Sequence, residues 1–184
     1  MNESDHLAEI NVRAPRYFIM RSRGVCPHCS APTDLFGLAL PPGHETLDVD
    51  DAADDAAAAE DVAATEAAGK AAAASAWISA HDPAFIFHIE FLNAEVAARL
   101  ASVTSLFRVD QQESAAAPAW ANHCEACGAC FDDEALFCEP GEPFFPTSEV
   151  HAAAIQLLAI DAPLEACAGG YSFDPNFMHV MRWE

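Results

Sequence analysis

Lysine is almost missing from this chain: 29 acidic residues face only eight basic ones, and Lys70 alone among these is a lysine. The net charge of -21 repels phosphate backbones, which counts against gripping nucleic acid, a frequent task of small cysteine-rich modules. The one basic cluster is Arg13, Arg16, Arg21 and Arg23. Its plainest role is counter-charge on an acidic surface, and nucleic-acid binding through it is kept as a second alternative function. No run of 18 apolar residues occurs, because acids interrupt the alanine-rich region, so no membrane-spanning helix is expected. The opening residues, Met1 to Ile10, are polar and acidic and carry no apolar core of an export signal. A soluble, cytoplasmic protein is expected. Also missing are a glycine-rich phosphate loop, a nucleophile elbow and a His-Glu-x-x-His helix, so none of these familiar enzyme signatures points to a reaction.

What the chain does have is cysteine. Seven are present, an odd number, and in a reducing compartment they read as metal ligands with some left over rather than as disulfides. Four fall into two Cys-x-x-Cys pairs, Cys26-Pro27-His28-Cys29 and Cys124-Glu125-Ala126-Cys127. Two intervening residues let one tight turn aim two sulfurs at one ion, and two such turns complete the tetrahedron that zinc prefers. Gly128 follows the second pair, where a left-handed backbone is needed; Ser30 stands at the equivalent place in the first. The expected zinc ligands are therefore Cys26, Cys29, Cys124 and Cys127. The 94 residues between Cys29 and Cys124 are tolerable, since loop-closure entropy rises slowly with length and a metal clip offsets it.

Along the chain, Arg16 to Arg23 reads as a strand into the first turn and Leu35–Leu40 as the strand out of it. Residues 45–76 are rich in Ala, Asp and Glu with few large apolar side chains, and read as a disordered acidic insertion. Residues 1–44 thus hold the first knuckle, and 77–184 the remainder of the same domain with the second. Phe85–Leu92 is expected to be a central strand with Phe85, Phe87, Ile89 and Phe91 on one face. Asn93 suits the N-cap of a helix from Ala94 to Ser102. Thr104 to Asp110 is a further strand candidate, and Ala119 to His123 enters the second knuckle as a strand, with Ala135–Cys138 as its return. A helix is expected from Glu149 to about Leu158, although Ile155–Ile160 suits a strand equally. The chain then reads as loop through Gly169-Gly170, with a short terminal helix over Asn176–Trp183.

The block Trp120-x-Asn122-His123-Cys124-x-x-Cys127-Gly128-Ala129, followed by an acidic turn, Leu136 and Glu139-Pro140-Gly141, resembles an uncharacterised bacterial family that pairs it with an upstream Cys-x-x-Cys. The resemblance covers about a third of the chain and implies a zinc-ribbon-like domain without a known activity. The abundance of Ala and Arg over Lys fits a GC-rich bacterial genome. Cys130 and Cys138 depart from the family pattern, and Cys130 is the natural substitute ligand.

Other readings of the thiols remain. Cys26-Pro27-His28-Cys29 resembles the active site of dithiol oxidants, so thiol-disulfide exchange through Cys26 and Cys29 is the first alternative function; Pro32 and Gly37 make the helix that should follow it unattractive. Cys124, Cys127 and Cys130 have iron-sulfur spacing, but Cys138 comes too late to complete a ferredoxin pattern. His28 and His123 read as outer neighbours of the metal, His88 as a hydrogen-bonded core histidine, and Cys138 and Cys167 as small buried residues. A catalytic zinc leaves a position open to water, whereas four available thiolates make a closed shell. The expectation is an α+β domain in which zinc-ribbon-like β-hairpin knuckles join a small mixed sheet with short helices. Its expected function is structural zinc binding in a protein-interaction or adaptor role, in which Trp120, Phe144 and Phe145 meet an unidentified protein partner or the rest of the fold.

Overall fold

In the computed structural model, the residues described are 9–48, 76–111, 117–173, 175 and 177–183. Their strands are β1 (Val12–Ala14), β2 (Tyr17–Val25), β3 (Pro32–Leu40), β4 (Glu45–Asp48), β5 (Ala76–Ser79), β6 (Ala84–Leu92), β7 (Phe107–Asp110), β8 (Ala119–Asn122), β9 (Gln156–Ile160), β10 (Leu164–Phe173) and β11 (Arg182–Trp183). The helices are α1 (Ala94–Val103), α2 (Asp133–Phe137) and α3 (Glu149–Ala152). The main path of the sheet runs β11-β9-β2-β3-β6-β10-β1-β4-β5, and β8 joins β7 to β6. The pairings are antiparallel except β11 with β9, so the sheet is mixed and the α+β class holds.

Both faces of β2, β3 and β6 are buried over most of their length, which explains why these strands read as continuous apolar runs. In β2, Phe18 and Met20 enter one core while Tyr17 and Ile19 enter the other. The first core is closed by α2 and the segment after it, through Leu136, Phe137 and Phe144, and by Met178 and Met181. Val96 and Leu100 of α1 close the second, which matches the helix expected over Ala94 to Ser102. Asn93 does not cap α1 with its side chain. Its Oδ1 accepts the Glu165 N–H at 3.1 Å and its Nδ2 donates to Pro163 O at 3.4 Å, which ties the helix start to β10.

β6 is central, as its apolar run indicates, but its alternation breaks. His88 has φ 49, and Ile89 lies in the second core whereas Phe85 and Phe87 lie in the first. The left-handed residue turns the strand over, so Ile89 does not share the face of Phe87, and Phe91 is exposed at 38%. At this kink β6 also changes neighbours: Ala84 to Ile86 pair with β3, while Ile89 pairs with Trp120 of β8. The His88 N–H donates to Asp133 Oδ2 at 2.8 Å; its imidazole is not a core side chain but lies 4.0 Å from exposed Glu134.

Several expected elements differ. Ala135–Cys138 is not a return strand: α2 occupies this stretch, capped by Asp132, whose side chain accepts the Glu134 N–H. The helix from Glu149 is a single turn ending at Ala152, and β9 follows it, so the strand option was the correct one for Gln156–Ile160. The expected loop through Gly169-Gly170 is β10, which pairs with β6 along most of its length. Met178–Val180 is one 3-10 turn followed by β11, in place of the terminal helix. Glu45–Asp48 and Ala76–Ser79 pair as β4 and β5, so both ends of the expected insertion belong to the sheet; residues 49–75 lie outside the described ones. No helix among the described residues is long and apolar enough to cross a membrane.

A candidate four-cysteine metal centre

The first Cys-x-x-Cys turn sits at the tip of the β2–β3 hairpin, whose ladder runs up to the pair Val25 with Pro32. The second follows β8, where one bridge between His123 and Cys130 takes the place of a full return strand. The two turns share one hydrogen-bond pattern. The Cys26 N–H donates to Ala31 O at 2.9 Å and the Ser30 N–H to Cys26 O at 2.8 Å; the Cys124 N–H donates to Ala129 O and the Gly128 N–H to Cys124 O, both at 2.9 Å. Each turn needs a left-handed residue after its second cysteine, and Ser30 adopts φ 61 where Gly128 adopts φ 74.

Two long-range contacts bring the turns together. Asn122, fully buried, accepts the Phe36 N–H at 2.7 Å and donates to Phe36 O at 2.8 Å. Buried Thr33 accepts the Glu125 N–H on its Oγ1 at 3.1 Å. Sequence reasoning missed both residues as positioning groups; a polar Asn immediately before a knuckle was the available signal.

The result gathers the four expected residues. Cys26 Sγ lies 3.7 Å from Cys127 Sγ, Cys29 Sγ lies 3.6 Å from Cys124 Sγ, and all four sulfurs are within 4.8 Å of one another. Zinc–sulfur bonds of about 2.3 Å give a tetrahedron whose edges are about 3.8 Å, so the sulfurs are spaced to hold a metal ion. Cys26 and Cys124 face the core while Cys29 and Cys127 are exposed. Cys130 is half-buried and Cys167 likewise, and Cys138 is exposed rather than buried.

Electrostatics show what the arrangement requires. The Cys127 backbone amide, helped by that of Ala126 and opposed by burial, holds the Cys124 thiol down at about 7. The Ala31 amide favours the Cys29 thiolate, but the sulfurs of Cys127, Cys124 and Cys26, together with burial, push it up to about 12. Cys127 is also raised, despite the Ala129 amide aimed at it. Four sulfurs this close cannot all carry charge unless a cation sits among them, and the donor set suits a soft or borderline metal.

A second group lies beside the second turn: Asp110, His123 and Cys130 offer one carboxylate oxygen, one ring nitrogen and one sulfur within 4.8 Å of one another. His123 is buried, with Nε2 2.9 Å from Asp110 Oδ2 and Nδ1 3.1 Å from Ala121 O and 3.2 Å from Leu106 O. Burial, and then the charges of Asp110, Asp133 and Asp132, push the Cys130 thiol up to about 11. No sequence feature put Asp110 with these two.

The arginines do not form one patch. Arg13 pairs with Glu45 at 2.5 Å and lies over the Trp77 ring, whereas Arg21 and Arg23 share Asp34 at 2.5 and 3.4 Å; β1 and β2 are separated in the sheet by β3, β6 and β10. The Cys26–Cys29 turn leads into β3 and not into a helix, so the N-terminal helix dipole that would activate a redox thiol is not there. Of the expected contact aromatics, Phe144 is buried and stacks on Phe137, while Trp120 and Phe145 are half-buried. No protein-family model matches this chain, and no curated protein or solved structure matches it either.

Proposed function

We propose that the chain is a structural zinc-binding protein, with Cys26, Cys29, Cys124 and Cys127 as a closed tetrathiolate shell. The observation that carries this is the pair of cross-turn contacts, Cys26 to Cys127 and Cys29 to Cys124, at tetrahedral-edge spacing. The ion replaces core that the knuckle end lacks and joins a hairpin to a segment 94 residues away. Four thiolate ligands leave no coordination position for water, so the centre holds shape and carries no reaction of its own. A reduced tetrathiolate suits the cytoplasm, and the zinc-ribbon-like resemblance belongs to the same reading. The protein serves as an interaction or adaptor domain whose partner is another protein; exposed Val25 and Trp183 support a contact role better than buried Phe144 does.

The test is elemental analysis of protein purified under reducing conditions, with thiols counted before and after chelation. Zinc at this centre with about four chelator-released thiols, lost in C29A and C127A and kept in C138A, is the expected result. Absence of metal, with ready oxidation of Cys26 and Cys29 to a disulfide, would overturn it in favour of thiol-disulfide exchange.

A further inference from the structure

The Asp110–His123–Cys130 group is not absorbed by the four-cysteine centre, and its construction is that of a ligand set. His123 is held as metal-binding histidines usually are: the ring is 1% exposed, and Nδ1 faces the main-chain carbonyls of Ala121 and Leu106. In the tautomer with its proton on Nδ1 those carbonyls are satisfied and the Nε2 lone pair faces Asp110 Oδ2, 2.9 Å away. Atoms at that distance share one positive centre, either the ring proton of a hydrogen-bonded ion pair or, in its place, a metal ion. Asp110 is oriented for this by the Gln111 N–H, which donates to its Oδ1 at 2.8 Å and leaves Oδ2 for the shared centre. Cys130 is fixed opposite His123 by their β-bridge, so its sulfur falls in the same cluster. Asp132 and Asp133 add negative potential around Cys130, which favours a cation there.

The surroundings differ from those of the closed centre in one respect. A surface cleft of about 450 Å³ opens beside Cys130, lined also by His28, Gln111, Phe131 and Asp132. We propose that Asp110, His123 and Cys130 form a second metal site, for a divalent transition-metal ion of borderline softness, whose fourth coordination position opens to this cleft. One oxygen, one nitrogen and one sulfur are donors that zinc accepts at about 2.0–2.3 Å, and three protein ligands with one exchangeable position are the arrangement that leaves a metal free to bind water or an anionic ligand. The inference stands independently of the four-cysteine centre, since the two sets share no ligand.

The experiment is titration of the full, reduced, metal-free chain with cobalt as probe, read by absorbance and by bound metal per chain. Wild type is expected to bind two ions. D110A and C130A each bind one, with the tetrathiolate charge-transfer band retained, circular dichroism unchanged, and second-site binding weakened by more than about 100-fold, beyond the loss usual for an outer-shell partner. D110N, which keeps the shape of Asp110 without its charge, shows the same loss if charge and not packing is at work. One ion in wild type, lost in C127A and unchanged in D110A and C130A, overturns the second site, leaves the four-cysteine centre standing, and assigns Asp110 and His123 to an ion pair only. One ion lost in both C127A and C130A also overturns it and makes Cys130 a ligand of a single centre. One ion kept in C127A but lost in D110A overturns the four-cysteine centre instead.

Discussion

Asn122 takes the place of a β-strand for Phe36, donating to its carbonyl and accepting from its amide at 2.8 and 2.7 Å across 86 positions of sequence. The pairing of β3 with β6 covers only Leu38 to Leu40, so beyond it the edge of β3 would be buried without partners. One side-chain amide has the right donor and acceptor to close that gap, and in doing so it places the second knuckle against the first.

Replacing Asn122 by Ala leaves a buried N–H and C=O of Phe36 unpaired. A loss of about 2–4 kcal/mol is expected in denaturant unfolding, together with weaker metal binding because the knuckles are no longer held in register. Asp at this position accepts from the amide but meets the carbonyl with a like charge, so N122D is expected to recover little. A stability loss below about 0.5 kcal/mol in N122A would show that the contact does not position the centre.

Ser30 and Gly128 occupy matching left-handed positions at φ 61 and φ 74. A side chain there is strained by roughly 1 kcal/mol, so S30G is expected to stabilise the protein by up to that amount and G128A to destabilise it by about 1–2 kcal/mol. No atom stands within 4 Å of a Cβ built on Gly128, so the cost is conformational and not a clash. Thermal unfolding of the two variants, moving in opposite directions, checks it.

In metal-free, reduced protein the thiols are expected to ionise in order. Cys124, held at about 7 by the Cys127 and Ala126 amides, ionises first, with a midpoint near pH 7. Cys29, at about 12, stays protonated across the neutral range. The signs of the accompanying stability terms are opposite. The lowered Cys124 value stabilises the fold above its ordinary value of 9.0, and that contribution is lost as pH falls through about 7. The raised Cys29 value stabilises below 9.0, and that is lost as pH climbs toward about 12. Thiolate absorbance followed against pH in wild type and C124S reads the order, and bound metal is expected to abolish it by holding all four sulfurs as thiolates.

Gly170 lies beneath the Phe87 ring, whose Cε2 would stand 2.2 Å from a Cβ added there. The ring also stacks on Phe137 with centroids 5.1 Å apart, so it cannot move away freely. G170A is expected to cost about 1–3 kcal/mol by overpacking at the centre of the sheet. A G170A/F87A pair that is less destabilised than the sum of the single variants, measured as a double-mutant cycle, identifies the ring as the cause.

Gly170 also shows why β10 was illegible in the sequence. Cys167-Ala168-Gly169-Gly170 has the small, glycine-rich composition of a loop, and it becomes strand because β6 covers it and supplies the ring its own side chains lack. Ile89 is a similar case. Strict alternation puts it with Phe87, and only the left-handed His88, whose amide is held by Asp133 45 residues away, turns it to the other core.

By itself the sequence determined the features whose cause is local: the two Cys-x-x-Cys turns, the two-sided apolar strands β2, β3 and β6, and α1, because spacing and periodicity set how a short stretch can present its side chains. Tertiary structure decided that the four sulfurs meet, through Asn122 with Phe36 and Thr33 with Glu125. It also turned the expected return strand into α2, made β10 from a loop-like stretch, and placed Asp110 beside His123 and Cys130. Each of these depends on which distant backbone groups and side chains become neighbours. A single buried hydrogen bond or ring contact settles that choice, and such contacts leave no period in the sequence to read.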